Sequence, residues 1–390
     1  MSIKVKLPDL PSSTFACGPS QGHPVFRETP LFETFFERSH RAADISTDGL
    51  YKQATQHLQK LLSLPEDYTV IFFMGGATPA MDAVAWSLTK NSISGLSFGA
   101  FSQRWCQAIT ASLEETVIKD FKEPLNDELF PSQKPDYKAS LVLLTPNETS
   151  TGVQIPDEYL AEAWKSKGKD SLIAWDCTSC AGGRNLPKNM FDVMVFSLQK
   201  CFGGAGGSSV IILSPQAVAR IDEAKKLRRI PYSLDLSYAV EKARKFQTVN
   251  TPNTPNIWLM SKACQWMNDN GGIEAMDALC RQHAQYLLAW AEKTDWARPL
   301  VKEASFRSYT TLTLEITDPH LDAAVINQAL KDTGAPNLQD GLAKYGSVKQ
   351  NCIRIACFPF VDINGTAQYE KLTRLLDFIV ARLRADAAHP

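Results

Sequence analysis

Residues 191–213, FDVMVFSLQKCFGGAGGSSVIIL, decide how this chain is read. The runs FDVMVFS (191–197) and SSVIIL (208–213) are too short and too uniformly apolar for surface helices, so they read as strands buried on both faces. Lys200 and a glycine-rich turn lie between them. A lysine at the end of a buried strand has a plain explanation: its stem lies along apolar surface while its amine reaches water. It also has a chemical one, because ligands of open α/β sheets bind just past the carboxyl ends of the strands.

Working outward, TVIFF (69–73), SGLSF (94–98), ASLVLL (139–144) and SLIAW (171–175) have the same character, and helical patterns such as PAMDAVAWSLT and PDEYLAEAWKS lie among them. This alternation predicts an α/β fold with a mostly parallel sheet. Beyond about residue 256 the pattern changes. Two long helical stretches are followed by the strand TTLTLEI (310–316), a helix over 320–331, the strand CIRIACF (352–358) and a last amphipathic helix. That order predicts a smaller α+β domain. The expected organisation is an N-terminal arm and substrate segment (1–45), a large domain (46–256) and a small C-terminal domain (257–390).

A chain of 390 residues is long enough for two or three domains. Its net charge of −1 offers no broad basic field, so neither nucleic acid nor a membrane surface is an expected partner. No apolar run reaches the roughly 18 residues of a membrane span, and the N-terminus lacks the apolar stretch of a signal peptide. Cys177 and Cys180 form a C-x-x-C pair without a second pair at zinc spacing, so no metal is expected. Most other cysteines lie in apolar runs, which suits a reducing, cytoplasmic setting. His57, His283, His320 and His389 fall on polar helix faces or termini and receive no role.

The residues that follow the strands carry the chemistry. After TVIFF comes MGGATPAMDA, where Gly75 and Gly76 precede a helix. This is either a plain turn or an anion site made of free N–H groups and a helix dipole. After SLIAW comes Asp176, a carboxylate that burial would penalise unless it were paired. After FDVMVFS come Gln199 and Lys200. An anion cradle, a carboxylate and an amine at one sheet edge match the needs of pyridoxal 5′-phosphate: a lysine to condense with its aldehyde, an acid to keep its ring nitrogen protonated, and a seat for its phosphate. Phe101 follows another strand end and either stacks on such a ring or packs in the core.

GGATPAMDA, PNETSTGVQIP, WDCTSCAGG and FDVMVFSLQKCFGGAGG occur in an order and at a spacing that resemble the class V aminotransferases of fold type I. The resemblance is greatest to their phosphoserine-converting branch. ERSHRAADIS (37–46), NTPNT (250–254) and GPS (18–20) are similar to segments of that branch. The resemblance implies a large domain around a mostly parallel seven-stranded sheet with a smaller C-terminal α+β domain. It implies pyridoxal 5′-phosphate as cofactor and a homodimer with shared active sites. The substrates it implies are glutamate with 2-oxoglutarate and phosphoserine with 3-phosphohydroxypyruvate, in serine biosynthesis. By the same resemblance Lys200 binds the cofactor and shuttles a proton, Asp176 pairs with the ring nitrogen, and Thr149 bonds the phenolic oxygen. Phe101 stacks on the ring. Gly76, Ala77 and Gln199 meet the phosphate, joined by Asn250 and Thr251 of the other subunit. His40 and Arg41 meet the distal anion, and Arg354 the α-carboxylate. Before Arg354, GLAKYGSVKQNCIRI carries lysines where many members have a His-Arg pair. Lys344 or Lys349 could substitute.

Rival readings are a serine– or alanine–glyoxylate aminotransferase, a desulfurase of the same class, a nicotinamide-dependent oxidoreductase with GGAGGSS as its dinucleotide loop, and a catalytically silent binding protein. The glycine run precedes a strand rather than a helix, which disfavours the oxidoreductase.

Overall fold

The computed structural model describes residues 7–23, 49–126, 128–346 and 348–388. The chain runs through α1 (Leu50–Leu62), β1 (Thr69–Met74), α2 (Ala77–Leu88), β2 (Ser92–Leu96), α3 (Ala100–Ser112), β3 (Ile118–Lys122) and β4 (Leu141–Leu144). A short hairpin of β5 (Asn147–Glu148) and β6 (Val153–Gln154) follows, then α4 (Asp157–Ser166), β7 (Leu172–Asp176), β8 (Val193–Ser197), β9 (Ser208–Leu213), α5 (Pro215–Leu227) and α6 (Leu236–Ala243). The remainder holds α7 (Thr254–Asp269), α8 (Gly272–Lys293), β10 (Ala297–Pro299), β11 (Thr311–Ile316), α9 (Ala323–Asp332), β12 (Cys352–Ala356) and α10 (Ala367–Ala388).

The large sheet has seven strands in the order β1-β9-β8-β7-β4-β2-β3. Only β9 runs against its neighbours; β8, β7, β4, β2 and β3 pair in parallel. The carboxyl ends of β1, β2, β4, β7 and β8 therefore share one edge. Alternation along each strand fills both faces, as a period of two requires. Val193, Val195, Leu141 and Leu143 pack with Ala83 and Val84 of α2 and Ile109 of α3. Met194, Phe196, Val142 and Leu144 pack with Leu58 of α1, Leu160 of α4 and Met260 of α7. Being covered on both sides is why these strands read as unbroken apolar runs.

A smaller C-terminal domain is built on the antiparallel sheet β10-β11-β12. Helices α8 and α10 close its core, which includes Leu287, Leu314, Ile353 and Leu376. Residues 7–23 tie it to the large sheet. The Ala356 N–H donates to Phe15 O at 2.9 Å, and the Ser20 N–H donates to Gln199 O at 2.9 Å.

Three sequence expectations need correction. Strand β3 was not foreseen, because IKDFK carries three charges; it is an edge strand with Ile118 68% exposed. Strand β2 lies two residues earlier than the expected 94–98, where Ser92 exchanges hydrogen bonds with Ser140 just before the neighbouring β4. His283 does not lie on a polar helix face. It is fully buried, with Nε2 2.9 Å from Asp362 O and Nδ1 3.2 Å from Cys357 O. His389 lies outside the described residues. No helix among the described residues is long and apolar enough to cross a membrane.

Candidate active site

Each strand end along the shared edge delivers one side chain. Asp176 is the last residue of β7, Lys200 follows β8, and Gly75-Gly76 follow β1. Phe101 lies in the first turn of α3, Thr149 in the tip of the β5–β6 hairpin, and Arg354 in β12. Lys200, Asp176, Thr149, Phe101, Gly76, Ala77, Gln199 and Arg354 all line one cavity of about 510 Å³.

Lys200 does not reach solvent. It is 4% exposed, its Nζ donates to Thr149 Oγ1 at 2.6 Å, and the Phe101 ring centroid is 4.9 Å away. The N-terminal segment passes over its stem at Gly18, where φ is +135° and a Cβ would stand 3.2 Å from Lys200 Cε. Only glycine takes that conformation freely. Burial lowers the Lys200 pKa, opposed chiefly by the attraction of Asp176. Asp176 is also 4% exposed, and burial raises its pKa against the hydrogen bond from the Thr178 N–H to Oδ1 at 3.0 Å and the charge of Lys200. Burial thus pushes both groups toward their neutral forms, the usual response to desolvation.

The opposite wall of the cavity is an anion seat. Helix α2 starts at Gly76 with no side-chain cap and no acidic residue in its first turn. A Cβ at Gly76 would meet nothing within 4 Å, and Gly76, Ala77 and Thr78 line the cavity. Gly75, at φ +84°, is held by its N–H on Gly207 O at 3.1 Å. Uncapped N–H groups at the positive end of a helix attract phosphate. Two buried acceptors in the wall, Asn147 Oδ1 and Gln199 Oε1, have no hydrogen-bond partner. A polar ligand would satisfy them, since such atoms are rarely left alone.

The small domain supplies the remaining side. Arg354 Nη1 donates to Thr149 O at 3.1 Å and Nε to Ala343 O at 3.1 Å, leaving Nη2 for a ligand. Glu148, missed in the sequence, fixes the neighbouring residues. Fully buried, it accepts from the Ser102 N–H at 2.8 Å, the Phe101 N–H at 3.2 Å, the Ser150 N–H at 2.9 Å and the Ser150 hydroxyl at 2.7 Å. It thereby caps α3 and sets Phe101 beside Thr149. Glu148→Ala is expected to lose on the order of 3 kcal/mol of stability, because several buried N–H groups lose their acceptor. Urea unfolding measures this; a loss below about 1 kcal/mol would show that Glu148 is not the clamp.

Not every expected residue comes to this cavity. Asn250 and Thr251, expected to serve the other subunit's site, are both exposed, and Asn250 borders a separate cleft beside β1. His40 and Arg41 lie outside the described residues. Besides Glu148, nothing in the sequence marked Asn147, Arg104 or Tyr345 as wall residues. Among the described residues, no group of three or more His, Cys, Asp and Glu side chains could hold a metal.

A buried amine, a buried acid and a phosphate seat in one cavity have different partners on a ligand: an aldehyde, a ring nitrogen and a phosphate. The pocket therefore fits pyridoxal phosphate, and the fold around it is that of the fold-type-I pyridoxal-phosphate enzymes. Solved structures agree on the fold. A phosphoserine aminotransferase from Cytophaga hutchinsonii superposes with a TM-score of 0.82 at 28% identity, covering 94% of this chain and 99% of that one. The pyridoxal-phosphate-bound phosphoserine aminotransferase of Trichomonas vaginalis gives a TM-score of 0.74 at 18% identity, over 94% and 99% of the two chains. The family model "Aminotransferase class-V" matches residues 34–333, and the chain belongs to that family of pyridoxal-phosphate-dependent aminotransferases. The phosphoserine aminotransferase of Corynebacterium glutamicum (strain R) is 32% identical over 383 residues, 96% of this chain and 97% of that protein. A relative in Mycobacterium avium (strain 104) is 33% identical over 379 residues, 95% of each chain.

Proposed function

We propose that this enzyme transfers the amino group of glutamate to 3-phosphohydroxypyruvate, yielding O-phosphoserine and 2-oxoglutarate, as a step in serine biosynthesis. The observation that carries the reading is the cavity in which Lys200, Asp176 and Arg354 meet. The names of full-length relatives support the phosphoserine assignment. All nine cysteines are unpaired, which suits a cytoplasmic enzyme.

Pyridoxal phosphate bound here supplies an aldehyde carbon for amine exchange and a ring that accepts electrons. Lys200 would hold it, and the lysine amine, once released, takes the proton from the substrate α-carbon and returns it on the other side of the exchange. Its lowered pKa favours the neutral base needed for that task. Asp176 would keep the ring nitrogen protonated, with Thr149 beside the phenolic oxygen and Phe101 against the ring. Gly76, Ala77 and Gln199 would take the phosphate. Arg354 would fork the α-carboxylate, which suits its planar guanidinium. In a homodimer, Asn250 and Thr251 of one protomer would complete the phosphate seat of its partner.

The deciding assay offers purified enzyme O-phosphoserine, serine and alanine, with 2-oxoglutarate or glyoxylate as acceptor. The proposal expects phosphoserine with 2-oxoglutarate to dominate kcat/KM. A preference for serine or alanine with glyoxylate would replace it with the glyoxylate reading. His40 and Arg41 are proposed to meet the substrate phosphate. Arg41→Ala is therefore expected to raise KM for phosphoserine about tenfold to a hundredfold. Activity with serine should stay near wild type; an equal loss with both substrates would remove phosphate recognition from this segment.

A further inference from the structure

Two guanidiniums flank one tyrosine in the wall of the cavity. Arg104 lies one turn beyond Phe101 on α3, so the two side chains share a helix face. Its Nη2 donates to the Tyr345 hydroxyl at 2.8 Å, and its guanidinium carbon is 5.6 Å from the Phe101 ring centroid. Tyr345 packs on Phe101 with ring centroids 5.0 Å apart, and the Arg354 guanidinium carbon is 5.7 Å from the Tyr345 ring.

The charges of the wall are unbalanced. Arg104, Lys200, Lys344 and Arg354 are its cations, while Asp176 and Asp340 are its carboxylates. Lys200 and Asp176 attract each other. Lys344 is turned onto the carbonyls of Lys349 and Gln350 at 3.3 and 3.1 Å. Arg104 forms no ion pair among the described residues, and its only side-chain hydrogen bond leaves most of its five N–H donors open. With a chain net charge of −1, this positive surplus is local to the pocket.

We propose that Arg104 reads a second acidic group on the substrate, so that the pocket selects amino acids with an acid at each end. Arg354 takes the α-carboxylate, and Arg104, hydrogen-bonded to Tyr345, takes the distal carboxylate or phosphate alongside the His40–Arg41 pair proposed above. This rests on the transaminase reading of the same pocket. It gives one cation a part in both half-reactions, because glutamate and phosphoserine each carry a distal acid while alanine does not.

The test compares holoenzyme with its Arg104→Gln variant. Succinate and propionate, which cannot react, are titrated by the cofactor absorbance, and KM is measured for O-phosphoserine, glutamate and alanine. Arg104→Gln is expected to weaken succinate and raise both diacid KM values about tenfold or more. Propionate binding and the alanine KM should change less than about twofold, with the resting spectrum unaltered. Tyr345→Phe, which removes only the hydroxyl holding the guanidinium, should shift the same ratio less. A succinate-to-propionate ratio unchanged in both variants, or equal weakening of the two probes, overturns the assignment. If wild-type enzyme ignores phosphoserine but the probe ratio moves, the phosphoserine reading fails and the Arg104 assignment stands. If phosphoserine turns over and the ratio stays fixed, the outcome is reversed.

Discussion

Lys200→Ala is expected to lose transamination by about 10⁴-fold or more, because one substitution removes both the covalent attachment and the proton carrier. The loss should appear in two separate measurements. Borohydride reduction of wild-type enzyme should fix the cofactor to the peptide containing Lys200, and the same treatment of the variant should fix none. Single-turnover exchange of substrate hydrogen at the α-carbon should stop as well. The fold should survive. Lys200 donates a hydrogen bond to Thr149, but Thr149 lies in a hairpin that Arg354 and Glu148 also hold. Turnover within about tenfold of wild type would remove Lys200 from the mechanism.

Asp176→Asn has the next largest expected effect. The amide keeps the shape and can still accept from the Thr178 N–H, but it has no charge to hold a proton on the ring nitrogen. A loss of about 2–4 kcal/mol in transition-state stabilisation is expected, roughly 30- to 10³-fold in kcat, with the cofactor still bound. Burial raises the pKa of Asp176. A cationic ring beside it would oppose that shift, since an opposite charge favours the ionised acid. Turnover reduced less than about threefold would make Asp176 a structural residue.

Residues that follow strands were legible in the sequence, and residues brought in from elsewhere were not. Asp176, Lys200 and Gly76 stand directly after uniformly apolar runs, and a parallel sheet must bring such ends to one edge. Phe101 follows a strand end, which by itself leaves its role open, Thr149 and Arg354 came from the family resemblance, and the cavity gathers them with the others. Glu148 and Arg104 gave no signal, because an acid in a loop and an arginine on a helix look like solvated groups. Their roles depend on the close approach of α3 to the hairpin. That approach shows at Gly99, where a Cβ would lie 2.4 Å from Glu148 Cγ. Strand β3 escaped for a related reason. At the edge of the sheet its charges reach water, and the apolar run that marks a doubly covered strand is absent.

The hydrogen bond from Arg354 to Thr149 joins residues 205 apart in the chain. Lys200 meets that same threonine from 51 residues away, and Ser20 closes on Gln199 from the far N-terminus. The Arg354 contact cannot form until the three-stranded sheet has docked against the seven-stranded one, and contacts of such separation are the slow ones in folding. A nascent chain with every helix in place would still have no pocket. Whatever binds there stabilises only the fully docked molecule, so the catalytic centre also serves as the latch by which the two halves of the chain stay together.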